Sequence, residues 1–549
     1  MKQTKYIVLL FIQFFLSTSG ASAVEKPQLT IICIIDQWAY HYIPLLHPYF
    51  NAAFKYFLNN GIVYHNAYHP HACPETATGH ATLSTGTYAQ NHGIISNSWV
   101  DENGNSIKSD KDSAENAAVF SPTELYQYGK SAANIMVDGL SDQLVLQQPT
   151  DQKRHVFSIS LKSRAAIGTA GKLGKAIWYD TPTRCFTSST AYFKELPHWI
   201  TQFNSNKNLQ SLHSMFWKPR YKLNSPAYQF KNIHNYEYAG SPQIIGKQIS
   251  LQKKVELPYK DPIQKSPLGN QICLDLAVEC INTHLPKNST DSMVLWLELS
   301  ALDYAGHMYG PECMETIDII YHLDKQLQQF LKQVTKTVDK KKLLFILTAD
   351  HGIEPIPELL AKRGIPARRL MLNEWIDDMN KQLAETVGVT NVLFPKVVPP
   401  YVYFDMQQFN ALEQEEQNTI IKTVKEYLMK QPGVKQVWYH TELEQACFHE
   451  NQLESYFKNQ FYPGRSGQII IQTDPYNILT EFKTGASHCT PYEANTHVPI
   501  IIYQKGVYEK QAVNEKVSTT QLANTVAHIL NISKPSTSTG QLLPGITRS

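Results

Sequence analysis

The chain has 549 residues, more than a usual single domain, so one large core with insertions or two domains is expected. With 42% apolar and 18% charged residues it reads as a globular chain that buries a sizeable core. A formal net charge of +2 and no dense basic run give no basis for a nucleic-acid partner.

In chain order the first feature is a leader. Lys2 and Lys5 precede an apolar stretch from Tyr6 to Leu16, and Ala21-Ser22-Ala23 supplies a small-x-small site. That is the pattern of a secretory signal peptide spanning residues 1–23. The apolar run is short of the roughly 20 residues a membrane span needs. The expected product is periplasmic or secreted, with no stable membrane anchor after cleavage. Eight cysteines, at 33, 73, 185, 273, 280, 313, 447 and 489, include no C-x2-C pair. Disulfides are therefore permitted in an oxidising compartment, whereas a zinc ribbon is not indicated. Cys33, inside an apolar run, reads as a buried thiol.

Four runs, "LTIICII" (29–35), "MVLWLEL" (293–299), "LLFILT" (343–348) and "VPIIIY" (498–503), are continuously apolar, as strands buried on both faces are. Helix-like stretches at 313–335 and 411–430 lie between them. The fold class is α/β, with a mostly parallel central sheet, helices on both faces and an inserted α+β cap. Residues 24–360 read as the first part of the core, with an irregular insertion at about 197–260. Residues 361–480 read as the cap, and 481–549 return to the core.

Parallel sheets place their sites at the carboxyl ends of strands. Asp36, Asp303 and Asp350-His351 stand just after three of the four runs. One such Asp is ordinarily a turn or cap residue; three with histidines attached indicate a site. Asp303 and His307 are spaced i, i+4, so on a helix they share a face. "GASHCTPYEANTHVP" adds His488 and His497. Mixed carboxylate and imidazole donors suit Zn2+, and their number suggests two metals about 3.5–4 Å apart. Residues 61–69 read as a strand and 76–85 as the start of a helix after Pro74. Thr76 then sits at a helix N-terminus, where an alkoxide and an incoming phosphate are favoured.

"IICIIDQ", "TATGHATLSTG", "HGIISN", "SALDYAGHMYG", "TADHG" and "GASHCTPYEANTHVP" together resemble the alkaline phosphatase superfamily. More narrowly, the chain resembles the branch holding nucleotide pyrophosphatase/phosphodiesterases and PafA-type periplasmic alkaline phosphatases. The resemblance implies an alkaline phosphatase-like fold and two zinc ions. One would be held by Asp36, Asp350, His351 and the nucleophile, the other by Asp303, His307 and His488. His497, just before the last core strand, is not expected to be a ligand; it would either support the ligands from behind or be structural. The T-x-x-G-H motif implies Thr76 as nucleophile, and Asn97 as a contact to a non-bridging phosphate oxygen. "FSISLKSRAAIG" resembles the K-x-R element of the monoesterases; in an extended segment Lys162 and Arg164 would project to one face.

The resemblance thus implies a hydrolase of small phosphate monoesters acting through a phospho-threonine. An Arg fork and a Lys suit a dianion with three non-bridging oxygens. A phosphodiesterase or nucleotide pyrophosphatase on the same scaffold is the alternative, followed by a non-catalytic periplasmic metal- or phosphate-binding protein. The Cys/Ser-x-Pro-x-Arg motif of sulfatases is absent from the nucleophile region.

Overall fold

The computed structural model describes residues 26–120, 128–229, 236–251, 261–449 and 452–546; the leader read at residues 1–23 lies outside the described residues. The strands used below are β1 Leu29–Ile35, β2 Ile62–Tyr68, β3 Arg154–Ser160, β4 Lys175–Asp180, β5 Cys185–Thr187, β6 Ser292–Leu299 and β7 Leu343–Thr348. They continue as β8 Tyr401–Val402, β9 Val434–Tyr439, β10 Ile469–Thr473, β11 His497–Gln504 and β12 Gln511–Ser518. The helices are α1 Thr76–Thr85, α2 Ser163–Ala170, α3 Pro267–His284, α4 Ala301–Tyr309 and α5 Met314–Val334. α6 Leu372–Thr386, α7 Gln414–Met429, α8 Glu454–Gln460 and α9 Gln521–Ile529 complete the set.

Nine strands form one sheet in the order β12-β2-β11-β7-β1-β6-β3-β4-β5. β1 is central and parallel to β6 and β7, and the parallel run continues through β3 to β4. β11 is antiparallel to both β7 and β2. Two reversals restore direction, so β2 and its parallel neighbour β12 run with β1. Among these strands only β11 and β5 oppose the rest.

The unbroken apolar runs follow from this architecture. Successive side chains of a strand point to opposite faces. Leu29, Ile31, Cys33 and Ile35 join the cluster built with α3 and α5. Ile32 and Ile34 join the cluster built with α9. Each face is covered, so each aliphatic side chain of these runs gains roughly 1.5–3 kcal/mol by burial, and polar exceptions such as Thr30 and Glu298 are buried with them. Cys33 is buried and unpaired, as expected.

Between β7 and β11 the chain builds a smaller layer. β8, β10 and β9 form an antiparallel sheet whose residues share a separate apolar cluster with Ile376 of α6 and Ile420 and Val424 of α7. α8 belongs to a different cluster. Its Tyr456 and Phe457 pack with Tyr401 and Trp438 against Ala72, Ala77 and Ala81, residues that lead into α1 and run along it. The segment 197–260 contributes a helix at His198–Lys207 and a short two-stranded pairing of Ser214–Phe216 with Gln248–Ser250.

Candidate active site

The sheet collects the candidate residues at one edge. Asp36 follows β1, Thr76 opens α1 after β2, and Lys162 follows β3. Asp303 lies in the first turn of α4 after β6, and Asp350-His351 follow β7. His488 precedes a strand rather than following one. Because β11 runs backwards, its start lies beside the ends of the others, and His488 arrives at the same edge.

His351 Nε2 lies 3.4 Å from Asp36 Oδ1 and 3.5 Å from Asp350 Oδ2. His307 Nε2 lies 3.2 Å from Asp303 Oδ1. The His488 ring is centred 4.1 Å from that of His351 and 4.8 Å from that of His307. His351 Nδ1 is 2.8 Å from the Gly352 carbonyl, and His307 Nδ1 is 3.0 Å from the Ala486 carbonyl. A carbonyl only accepts, so each Nδ1 carries the proton; His351 Nε2, which has no hydrogen-bond partner among the described residues, offers a lone pair.

These residues fit metal ions. Asp36 Oδ1, Asp350 Oδ2, His351 Nε2 and His488 Nδ1 are buried with no hydrogen-bond partner among the described residues. Unpaired acceptors facing one another out of water are costly unless a cation satisfies them. The donor atoms gather into two groups, Asp36, Asp350 and His351, and Asp303, His351 and His488. His351 stands in both, while His307 attaches to the second through Asp303.

The electrostatics of the cluster are those of crowded acids. Burial, then the nearby Asp303 and Asp350, push the Asp36 carboxyl above its usual range. Burial acts the same way on Asp350, but His351 and His80 outweigh it and hold that carboxyl low. Burial, with His351 and His307 close by, keeps His488 well below the usual histidine range. That leaves the neutral imidazole a metal ligand requires. His497 takes no part. It stacks between Tyr40 and Tyr68 and bonds to the His65 carbonyl and to Glu493, a structural placement.

Thr76 is the first residue of α1 and buried. Its Oγ1 lies 3.2 Å from Lys162 Nζ. Gly79 of the T-x-x-G-H motif lets α1 press on the end of β7. A Cβ at this position would stand 2.2 Å from the Asp350 carbonyl oxygen and 2.8 Å from Asp350 Cβ. Gly79→Ala must therefore move Asp350 or the helix. The expected result is a loss of about 1–3 kcal/mol of stability, measured by denaturant unfolding, together with lost phosphate-ester hydrolysis.

Lys162 and Arg164 require a correction. They do not share an extended segment: Lys162 keeps extended backbone angles, whereas Arg164 is helical. β3 ends at Ser160, Lys162 is the residue before α2, and Arg164 sits in the first turn of that helix. The Ala-rich stretch "SRAAIGTA" favours helix as soon as the strand ends. The two side chains still line one cleft of about 370 Å³, with Asn97, Lys130, Trp178 and Tyr304. Lys162 Nζ donates to Asp36 at 2.6 Å, and also to Asp303. Burial works against its charge, but Asp303 and Asp36 more than offset that and hold its pKa above the usual lysine value.

Residues 30–497 match the family described as type I phosphodiesterase / nucleotide pyrophosphatase. The chain belongs to that family. Alkaline phosphatase PafA of Elizabethkingia meningoseptica is 28% identical over 97% of both chains. Alkaline phosphatase PhoV of Synechococcus elongatus is 27% identical over 96% of this chain and 94% of its own. The crystal structure of wild-type PafA superposes with a TM-score of 0.84 at 27% identity, covering 95% of this chain and 99% of that one. This member of the phosphodiesterase/nucleotide pyrophosphatase family has an alkaline phosphatase-like fold and is a hydrolase acting on phosphate esters.

Several residues of this family member support the site without having been singled out in the sequence. His80 Nδ1 bonds to the Thr76 carbonyl at 2.7 Å and lies 3.3 Å from Asp350 Oδ2. Gln37 donates its backbone N–H to Asp350 and its Nε2 to Asp303. Glu354 accepts from Thr490 and Asn495, and its backbone N–H donates to Ser487, so it fastens the loop carrying His488. His80 is the last residue of the T-x-x-G-H motif and Gln37 directly follows Asp36, a signal that was available. Glu354 has no such spacing signal.

Proposed function

We propose that the protein is an exported two-zinc phosphatase that hydrolyses phosphate monoesters through a phospho-threonine intermediate. The observation that carries this reading is the cleft in which Lys162, Arg164 and Asn97 converge beside Thr76. Two cations and an amide match the two charges and three non-bridging oxygens of a monoester. A diester, with one charge and two such oxygens, needs room there for its second alcohol. The printed names of the PafA and PhoV relatives, both alkaline phosphatases, point the same way.

Asp36, Asp350, His351 and Thr76 would hold one zinc, and Asp303, His307 and His488 the other. Zinc bound there lowers the pKa of an attached hydroxyl and offsets charge on the leaving oxygen. Thr76 Oγ1 attacks phosphorus in line, and the bond to the alcohol oxygen breaks. Asn97, Lys162 and Arg164 hold the non-bridging oxygens during transfer. Water then cleaves the phospho-threonine, releasing phosphate and restoring the Thr76 hydroxyl. Positioning and electrostatics supply most of the acceleration.

Export is supported by the leader pattern and by the disulfide joining Cys73 to Cys489, a bond that persists in oxidising compartments. Among the described residues no helix is long and apolar enough to cross a membrane. We read residues 361–480 as a cap, because their α8 packs over the turn that carries Thr76.

The family description covers phosphodiesters, so the test compares a monoester and a diester of one chromogenic alcohol alongside metal analysis. The expected result is a faster monoester reaction with about two metals bound per chain. Chelation should abolish it, and zinc should restore it. A faster diester reaction would make the protein a phosphodiesterase, and turnover that survives full chelation would remove the metal mechanism.

A further inference from the structure

We infer that Glu75 and Gln460 are positioning residues that fix Asn97 relative to Thr76, an inference that rests on the function proposed above. Asn97 is pinned at both ends. Its backbone N–H donates to Glu75 Oε2 at 2.7 Å, and the same oxygen takes the Ser96 hydroxyl at 2.6 Å. Its side-chain Oδ1 accepts the Ala77 N–H of α1 at 2.9 Å. With Oδ1 so engaged, the amide nitrogen is left as the donor, and Asn97 lines the cleft with Lys162 and Arg164. Glu75 immediately precedes Thr76, but its side chain makes no capping bond to α1; its carboxylate is given to the Ser96-Asn97 segment.

Gln460, the last residue of α8, closes the other side. Its Oε1 accepts the Cys73 N–H at 2.6 Å, and its Nε2 donates to the Cys73 carbonyl at 3.1 Å and the Ile95 carbonyl at 2.6 Å. The side chain is fully buried, and its three hydrogen bonds all go to two backbone segments. One of these carries Thr76, the other Asn97. A glutamine spent in this way inside an apolar cluster costs desolvation that only its three bonds offset. The layer between β7 and β11 thus reaches the reaction centre through the spacing of two backbones rather than through a side chain in the cleft.

The test is a double-mutant cycle on monoester turnover, with folding checked by thermal unfolding. Asn97→Ala should lower kcat by about 10²- to 10³-fold, as loss of one anion-stabilising donor does. Glu75→Ala should lower kcat about 10- to 100-fold, as a misplacement of about 1 Å does, with KM changed less. The Glu75→Ala/Asn97→Ala double variant should be no slower than Asn97→Ala alone, because the positioned group is already gone. Glu75→Gln keeps an acceptor oxygen and should recover most of the loss. Should Glu75→Ala not fold, Gln460→Met keeps length and burial, gives up three hydrogen bonds, and enters the same cycle. Losses that multiply in the double variant, or no loss in Glu75→Ala, overturn the inference alone. An Asn97→Ala protein with undiminished activity overturns both the inference and the role proposed for Asn97.

Discussion

Thr76→Ala is expected to reduce monoester turnover by on the order of 10⁴ to 10⁶, the scale of losing a nucleophile that works as part of a unit. Thr76 Oγ1 is buried within 3.2 Å of Lys162 Nζ, at the first position of α1, whose N-terminal dipole favours an anion there. No side-chain base bonds to its hydroxyl among the described residues; the proposed metals take that role. The loss should therefore be insensitive to pH across the neutral range, unlike removal of a histidine base. Thr76→Ser keeps the hydroxyl and should retain most activity. Acid-quenching wild-type protein during turnover should leave phosphate on the peptide containing Thr76, and none in Thr76→Ala. Phosphate found on Thr78, Thr82 or another residue would move the nucleophile.

The carboxylate and histidine cluster at this edge was legible because strand ends and candidate ligands coincide in sequence. Asp36 and Asp350 follow apolar runs directly, and the i, i+4 spacing of Asp303 and His307 needs only a helix to bring them together. His488 was legible by composition alone. Its arrival at the site depends on β11 being antiparallel, and an apolar run reads the same in either direction. The local geometry of Lys162 and Arg164 was misread for a related reason. The strand ends at Ser160 and the helix begins at Ser163, and the polar Lys162-Ser163-Arg164 run between the apolar stretches holds neither glycine nor proline to mark the change. Glu75 and Gln460 lie furthest from anything periodicity reports. Their partners are backbone groups, and Gln460 is hundreds of residues distant from Cys73 and Ile95 in the chain. Backbone groups have no residue identity, so no pattern of side chains marks such a contact.

Arg164→Ala is expected to lower monoester hydrolysis by about 10²- to 10³-fold and diester hydrolysis far less, so that the ratio of the two rates falls by nearly the full factor. The asymmetry follows from charge. Lys162 is engaged by Asp36 and Asp303, and much of its field is spent on those carboxylates. Arg164 Nε, by contrast, is buried without a hydrogen-bond partner among the described residues, in the wall of the same cleft. Its guanidinium is the cation with donors to give, and a fork of parallel N–H groups fits two oxygens of a dianion at once. A diester bearing one charge gains less from that fork and is crowded by it. Removing the side chain costs the monoester a strong contact and opens space for the diester's second alcohol, so the two rates converge. Arg164→Lys restores charge without the fork and should recover only part of the monoester rate. Equal losses on both substrates would mean that Arg164 shapes the fold of the cleft rather than the choice of ester.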